Sequence, residues 1–199
     1  MNILPASALA LLLAACSPTA DSSQPEAPGR PPLEGARIGG PFALIDQDGR
    51  AVTDRSFAGR YRLMYFGYTF CPDVCPVDMR NVGAGLRLLE RTDPALAARI
   101  VPVFVTVDPA RDTPAVLKEF VTAFHPRMIG LTGSPAAIAA AQKAYAVYAK
   151  KGETSAGGGY LMDHQNSVFL MDPAGQPLAL IPADEGPQAV ADEIAKWAR

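Results

Sequence analysis

Cys71 and Cys75 stand four positions apart in the stretch FGYTFCPDVCP, and a proline follows each. Two thiols at this spacing have three chemical uses: a structural disulfide, a redox couple, or a pair of metal ligands. The chain holds three Cys and two His in all, so candidates are few. Thiolates suit Cu(I), Zn and iron–sulfur chemistry. Two sulfurs alone under-coordinate any of these, so a metal site needs another ligand from elsewhere in the chain. Only His125 and His164 offer an imidazole. His125, in VTAFHPRM, falls at the end of a helical pattern and before a proline, where a capping or surface role is expected. His164, in YLMDHQNSVFLMD, stands just before an apolar strand. Its loop can reach the cysteines only through tertiary structure.

The elements around the pair must place it. RLMYFGY is a short apolar and aromatic run, expected to be a buried strand. After the cysteines, Val77, Met79, Val82, Leu86 and Leu89 recur at helical spacing. The pair therefore lies between a strand and a helix, where α/β sheets bind ligands. A Cys at a helix start feels the positive end of the helix dipole, which lowers its pKa. At a spacing of four, both sulfurs can face one side of a helical turn.

Other segments complete the sheet. PFALIDQDGRAVT predicts a hairpin around Asp-Gly, RIVPVFVTVD a second buried strand, and RMIGLTG a short one. RDTPAVLKEFVTAF starts a helix with Thr113 as N-cap and Pro114 in the first turn; Ser134 and Pro135 repeat the device in SPAAIAAAQKAYAVYAK. GETSAGGGY reads as a flexible loop, NSVFLMDPAGQPLALI as a hairpin turning at Pro173-Ala174-Gly175, and PQAVADEIAKWAR as a closing amphipathic helix. Strands alternating with helices call for βαβ crossovers, and the last two strands must be antiparallel. The expected fold is α/β and thioredoxin-like: a central mixed sheet, helices on both faces, and an N-terminal β-hairpin extension.

The 199-residue chain has a net charge of -2 and no Lys/Arg-rich stripe, which argues against nucleic-acid binding. Its first residues, MNILPASALALLLAAC, carry an apolar run too short to span a membrane and suited to a secretory signal. LAAC resembles a bacterial lipobox, in which Cys16 becomes the first mature residue and carries lipid. No Lys or Arg precedes the apolar run, which departs from the usual signal. Residues 16–37, rich in Pro and Ser, read as a tether. The expected organisation is a lipoprotein-type signal over 1–15, lipidated Cys16 with its tether over 16–37, and a folded domain over 38–199. Such a domain would face the periplasm from a lipid anchor.

GYTFCPDVCP, VTVDPARDTP and DHQNSVFLMDPAG, in this order, resemble the Sco/SenC family over the whole folded domain. Its members are membrane-tethered, thioredoxin-like copper proteins that help assemble the copper centre of cytochrome c oxidase. The resemblance implies a metallochaperone rather than an enzyme, holding one copper ion as Cu(I) or Cu(II) between Cys71, Cys75 and His164. The implied partners are the copper-containing oxidase subunit and another periplasmic copper carrier or thiol reductant. Asp108, in VTVDP, matches a family position near the copper; turn formation before Pro109 explains it equally well. Asp163 can orient His164 or simply solvate its loop. Met64 and Met79 fit the core by their periodicity, and Met162 stays open between core and metal. The family commonly has Ser where Gln165 stands, and often a transmembrane helix where this chain has a lipobox.

Rival uses of the thiols remain. A thiol–disulfide oxidoreductase of thioredoxin type uses CxxC and a proline in the facing loop; here the spacing is CxxxC and DHQNSV has no proline. Cys71 and Cys75 can still cycle as a redox disulfide that keeps oxidase cysteines reduced. A peroxiredoxin-type peroxidase would need Pro and Thr where Met64 and Tyr68 stand. A purely structural disulfide closing so short a loop constrains the unfolded chain weakly.

Overall fold

The computed structural model describes residues 29–199. Cys16 and the signal and lipobox residues lie outside the described residues. Nine strands and five α-helices follow one another as β1 (Ala43–Asp46), β2 (Ala51–Thr53), β3 (Tyr61–Gly67), α1 (Val74–Thr92), α2 (Pro94–Ala98), β4 (Ile100–Thr106), α3 (Pro114–Phe124), β5 (Ile129–Thr132), α4 (Pro135–Ala144), β6 (Ala149–Lys151), β7 (Met162–His164), β8 (Val168–Met171), β9 (Pro177–Ile181) and α5 (Pro187–Trp197) among the described residues.

Seven strands form one mixed sheet in the order β2-β1-β5-β4-β3-β8-β9. β3, β4 and β5 are parallel, while β1 and β8 join antiparallel on either side. Every residue of β3 and β4 is buried, as expected for central parallel strands covered on both faces. Alternation along β3 sends Tyr65 to the face carrying α1, where its hydroxyl donates to Asp78 at 3.0 Å. Phe66 points to the other face and packs on Tyr145, just after α4, at 5.2 Å between rings. The mixed sheet, the N-terminal hairpin and the closing hairpin agree with the sequence, as do the Thr113 and Ser134 N-caps, which accept from Val116 and Ala137 N–H.

Several details differ. α2 was not expected, although Asp93 caps it and Pro94 opens it. Val77 is exposed, because α1 turns its Met79–Val82–Leu86–Leu89 stripe inward and Val77 away. The segment expected as the end of the third helix leaves the helix at Ala144, and Ala149–Lys151 becomes strand β6. β6 pairs with β7 in a separate antiparallel ribbon, with Ala149 opposite His164. GETSAGGGY is its connection, closed by backbone bonds from Ser155 N–H to Gly159 and from Gly158 N–H to Ser155.

Candidate metal centre

The carboxyl ends of β3 and β4 lie side by side, tied by Val107 N–H donating to Gly67 C=O at 2.7 Å. The segment after β3 carries Cys71, and the first turn of α1 carries Cys75. Cys71 thus precedes the helix, which begins at Val74, and the two cysteines do not share one helical turn. They are free thiols, Cys71 half-buried and Cys75 buried. Across from them, the β6–β7 ribbon presents His164 at the end of β7. The Sγ atoms of Cys71 and Cys75 and a ring nitrogen of His164 lie within 4.8 Å of one another. Among the described residues this is the one group of three or more His, Cys, Asp or Glu side chains so arranged.

Each donor is held. Asp112, wholly buried, accepts from Thr69 N–H at 3.1 Å, from Thr69 Oγ1 at 2.6 Å and from Thr106 Oγ1 at 2.6 Å. This fixes the turn that leads into Cys71. Asp108 accepts from the Tyr160 hydroxyl at 2.9 Å and from Arg111 Nε, while Arg111 Nη1 donates to Tyr160 C=O at 3.0 Å. The Arg111 guanidinium also sits 3.7 Å from the centre of the Tyr160 ring. Tyr160 lies just before β7, so Asp108 and Arg111 grip the ribbon that carries His164. Asp108 is not part of the donor cluster. The DPARDTP stretch therefore has a physical account: Asp108 and Arg111 hold the ribbon, Asp112 holds the cysteine turn, and Thr113 with Pro114 starts α3.

His164 Nδ1 faces the backbone carbonyl of Gln165 at 3.0 Å. A carbonyl only accepts, so Nδ1 carries the proton and Nε2 presents a lone pair. That lone pair points at Cys75 Sγ, 3.3 Å away. Asp163 is exposed. The rings of Tyr65 and Tyr68 stand edge-on to the imidazole at 6.4 and 5.6 Å.

Burial pushes the Cys75 thiol up to about 12, opposed by hydrogen bonds from Tyr68 and Tyr65 and reinforced by Cys71. The dipole expectation is thus overturned for Cys75, because desolvation of a buried thiolate outweighs the helix terminus. Burial also raises Asp78, the carboxylate under the site on α1, and the Tyr65 hydrogen bond opposes this. Sequence reasoning missed Asp78. Its signal was an acid three positions after Cys75 and beside the inward stripe. His125 is the C-cap residue of α3, as expected, but it is buried and lies 3.4 Å from Glu90, so the surface expectation fails. Met64 and Met79 are core residues, and Met162 packs partly buried against the core.

Of the large apolar side chains exposed among the described residues, Phe70, Val74, Val77, Tyr148 and Leu161 belong to the segments that present the cysteines and His164. The segments that carry the donors therefore also carry exposed apolar side chains.

Together these features define a thioredoxin-like domain with a cysteine–histidine cluster able to hold a metal ion at the carboxyl end of its central strands. The sequence profile of the SCO1/SenC family matches residues 30–199, and the chain belongs to that family. It is 45% identical over 163 residues to protein SenC of Rhodobacter capsulatus, covering 80% of this chain and 70% of that protein. Among mitochondrial relatives the match to SCO1 homolog 1 of Arabidopsis thaliana is 42% identical and covers 69% of this chain, but only 40% of that protein. The copper-bound structure of Bradyrhizobium japonicum ScoI is similar with a TM-score of 0.73 and 41% identity, over 80% of this chain and 99% of that one. That structure is almost wholly the matched domain, so a domain of this kind folds alone.

Proposed function

We propose that this chain is a copper metallochaperone that serves the copper centre of cytochrome c oxidase, with Cys71, Cys75 and His164 as the ligands of one ion. The observation that carries the reading is the convergence of two sulfurs and one imidazole nitrogen within 4.8 Å. Bonds of about 2.0 to 2.3 Å from imidazole and thiolate to a first-row metal need donor atoms roughly 4 Å apart, so the three fit around one ion with a small inward shift. Two thiolates favour Cu(I), and the imidazole also accommodates Cu(II). The family membership and the copper-bound relative support copper as the cargo.

Copper enters as substrate. Cys71 and Cys75 each surrender a proton, and His164 offers Nε2 while Gln165 C=O keeps the proton on Nδ1. The exposed apolar side chains of Phe70, Val74, Val77 and Leu161, on the segments that carry the donors, suit docking of a recipient that presents its own donors, here the copper-containing oxidase subunit, for ligand exchange. Passing two electrons and two protons to a disulfide of the oxidase would join Cys71 to Cys75 as a disulfide and remove two of the three donors, so the reduced dithiol is the competent state. The free thiols leave a second role as a reductant of oxidase cysteines. Asp108 supports the site through the ribbon.

No helix among the described residues is long and apolar enough to cross a membrane. Lipidation at Cys16, with the tether over 16–37, would hold the domain over 38–199 on the periplasmic side of a bacterial membrane. Anaerobic Cu(I) titration of residues 29–199, beside Cys71→Ser/Cys75→Ser, tests the central point. The reduced protein is expected to bind one equivalent and the double variant to lose it. Unchanged affinity in the double variant overturns the reading.

A further inference from the structure

Arg62 is 3% exposed, yet it has no carboxylate within ion-pair distance among the described residues. Its Nε is buried without a hydrogen-bond partner. Among the described residues its side chain makes one hydrogen bond, a long one, Nη1 to the Asp54 backbone carbonyl at 3.4 Å. A buried, uncompensated guanidinium is costly, and a planar fork of donors is suited to a carboxylate or phosphate. Arg62 lines a cavity of about 420 Å³. Arg37 and Arg55, both exposed, line it too, against Asp54 as the one acidic side chain. The opposite wall is the Pro173–Gly175 turn. A Cβ at Gly175 would collide with Arg62 Nη2, so the glycine makes room for the guanidinium.

We propose that this cavity binds a phosphate-bearing anion, either a phospholipid headgroup or a free small molecule. Three arginines against one aspartate suit a multiply charged oxyanion better than a single carboxylate. Residues 36–41 form part of the wall, so the cavity lies where the chain enters from the N-terminal tether. Arg62 sits near the start of β3 and the cysteine turn follows its end, about 16 Å away at about 3.3 Å per residue. An anion held at the tether root would turn the thiols away from the surface that carries it. The site itself stands apart from the copper reading; only the headgroup source draws on the membrane anchor.

The test uses copper-free residues 29–199, wild type beside Arg62→Met and Arg55→Gln. Inorganic phosphate should raise the wild-type Tm by several degrees, with the shift abolished in Arg62→Met and reached only at severalfold higher phosphate in Arg55→Gln. That result assigns a free phosphate compound. Co-sedimentation with phosphatidylglycerol but not phosphatidylcholine vesicles, lost in Arg62→Met, assigns the headgroup. If Arg62→Met does not fold, the double variant Arg37→Gln/Arg55→Gln takes its place and should bind severalfold more weakly. The proposal is overturned if neither probe separates the variants from wild type. It is also overturned if Asp54→Asn alone removes the stability that phosphate was expected to add, since Asp54 would then be the partner of Arg62 in solution. Copper titration of whichever of these variants folds should match wild type.

Discussion

Cys75 Sγ and His164 Nε2 approach to 3.3 Å from positions 89 residues apart. No local motif makes this contact; the ribbon does, because His164 ends β7 and β7 is pinned through Tyr160. His164 is half-buried, so its removal should cost the domain little stability. In the proposed site His164→Ala should weaken copper by at least the roughly 10- to 100-fold that follows loss of an outer-sphere partner, with Tm nearly unchanged. Competition with a chelator of known affinity, alongside thermal unfolding, separates the two effects. A large fall in Tm with unaltered affinity would make His164 a packing residue.

The raised Cys75 pKa fixes the sign of a pH effect. A thiol whose folded pKa lies above its unfolded value binds its proton more tightly when folded. Its contribution to stability is complete below the unfolded value of 9.0 and is lost as pH rises towards about 12. Copper-free, reduced protein should therefore lose stability from about pH 9 upward, and Cys75→Ala should lack that part of the slope. Copper affinity should move the other way and rise with pH, because the ion must displace the thiol protons. Denaturant melts across this range, with and without Cys75, check the first claim. An identical slope in both proteins would leave the burial of Cys75 without a titration effect.

Much of this was legible in the chain. The strands RLMYFGY and RIVPVFVTVD are continuous apolar runs because parallel strands are covered on both faces, and Thr113-Pro114 and Ser134-Pro135 mark helix starts. The three proposed ligands stood out by type and by family resemblance. The ribbon did not, because three-residue strands such as Met162–His164 are too short to display a period. Burial was the other blind spot. The helix dipole alone predicted a lowered pKa for Cys75, and Asp78 was not singled out. Only packing reveals that both lie in the interior, where desolvation decides their protonation. Val77 shared a plausible apolar spacing with Met79, yet the true stripe is one that excludes it.

Gly67 ends β3 directly beneath the site. A Cβ there would fall 2.6 Å from Tyr65 Cε1, 2.9 Å from Cys75 Sγ and 3.1 Å from Phe104 Cε2. All three neighbours are buried, so none can swing into solvent. Gly67→Ala should destabilise by about 1–3 kcal/mol, the usual range for overpacking, and should displace the Cys75 sulfur. Denaturant unfolding and the near-ultraviolet charge-transfer spectrum of the copper-loaded domain report the two consequences. Wild-type stability with a wild-type spectrum would mean that the sheet end yields without strain.

Arg111 is the residue through which the DPARDTP segment reaches the ribbon. It donates Nε to Asp108 and Nη1 to Tyr160 C=O, and it stacks on the Tyr160 ring, so it serves charge, hydrogen bonding and packing at once. Lysine keeps the charge but loses the fork and the flat face. Arg111→Lys should therefore loosen residues 149–164 without touching the cysteine helix. Copper affinity should fall by about 10- to 100-fold, as for other groups that orient a ligand. Hydrogen exchange should quicken in β6 and β7 while α1 stays protected. Tyr160→Phe deletes one bond of the same grip, so its effect should be smaller. Combined with Arg111→Lys it should be less than additive, since both variants act on one contact. Weaker copper binding with unchanged exchange in the ribbon would show that Arg111 acts on the site by a route other than the ribbon.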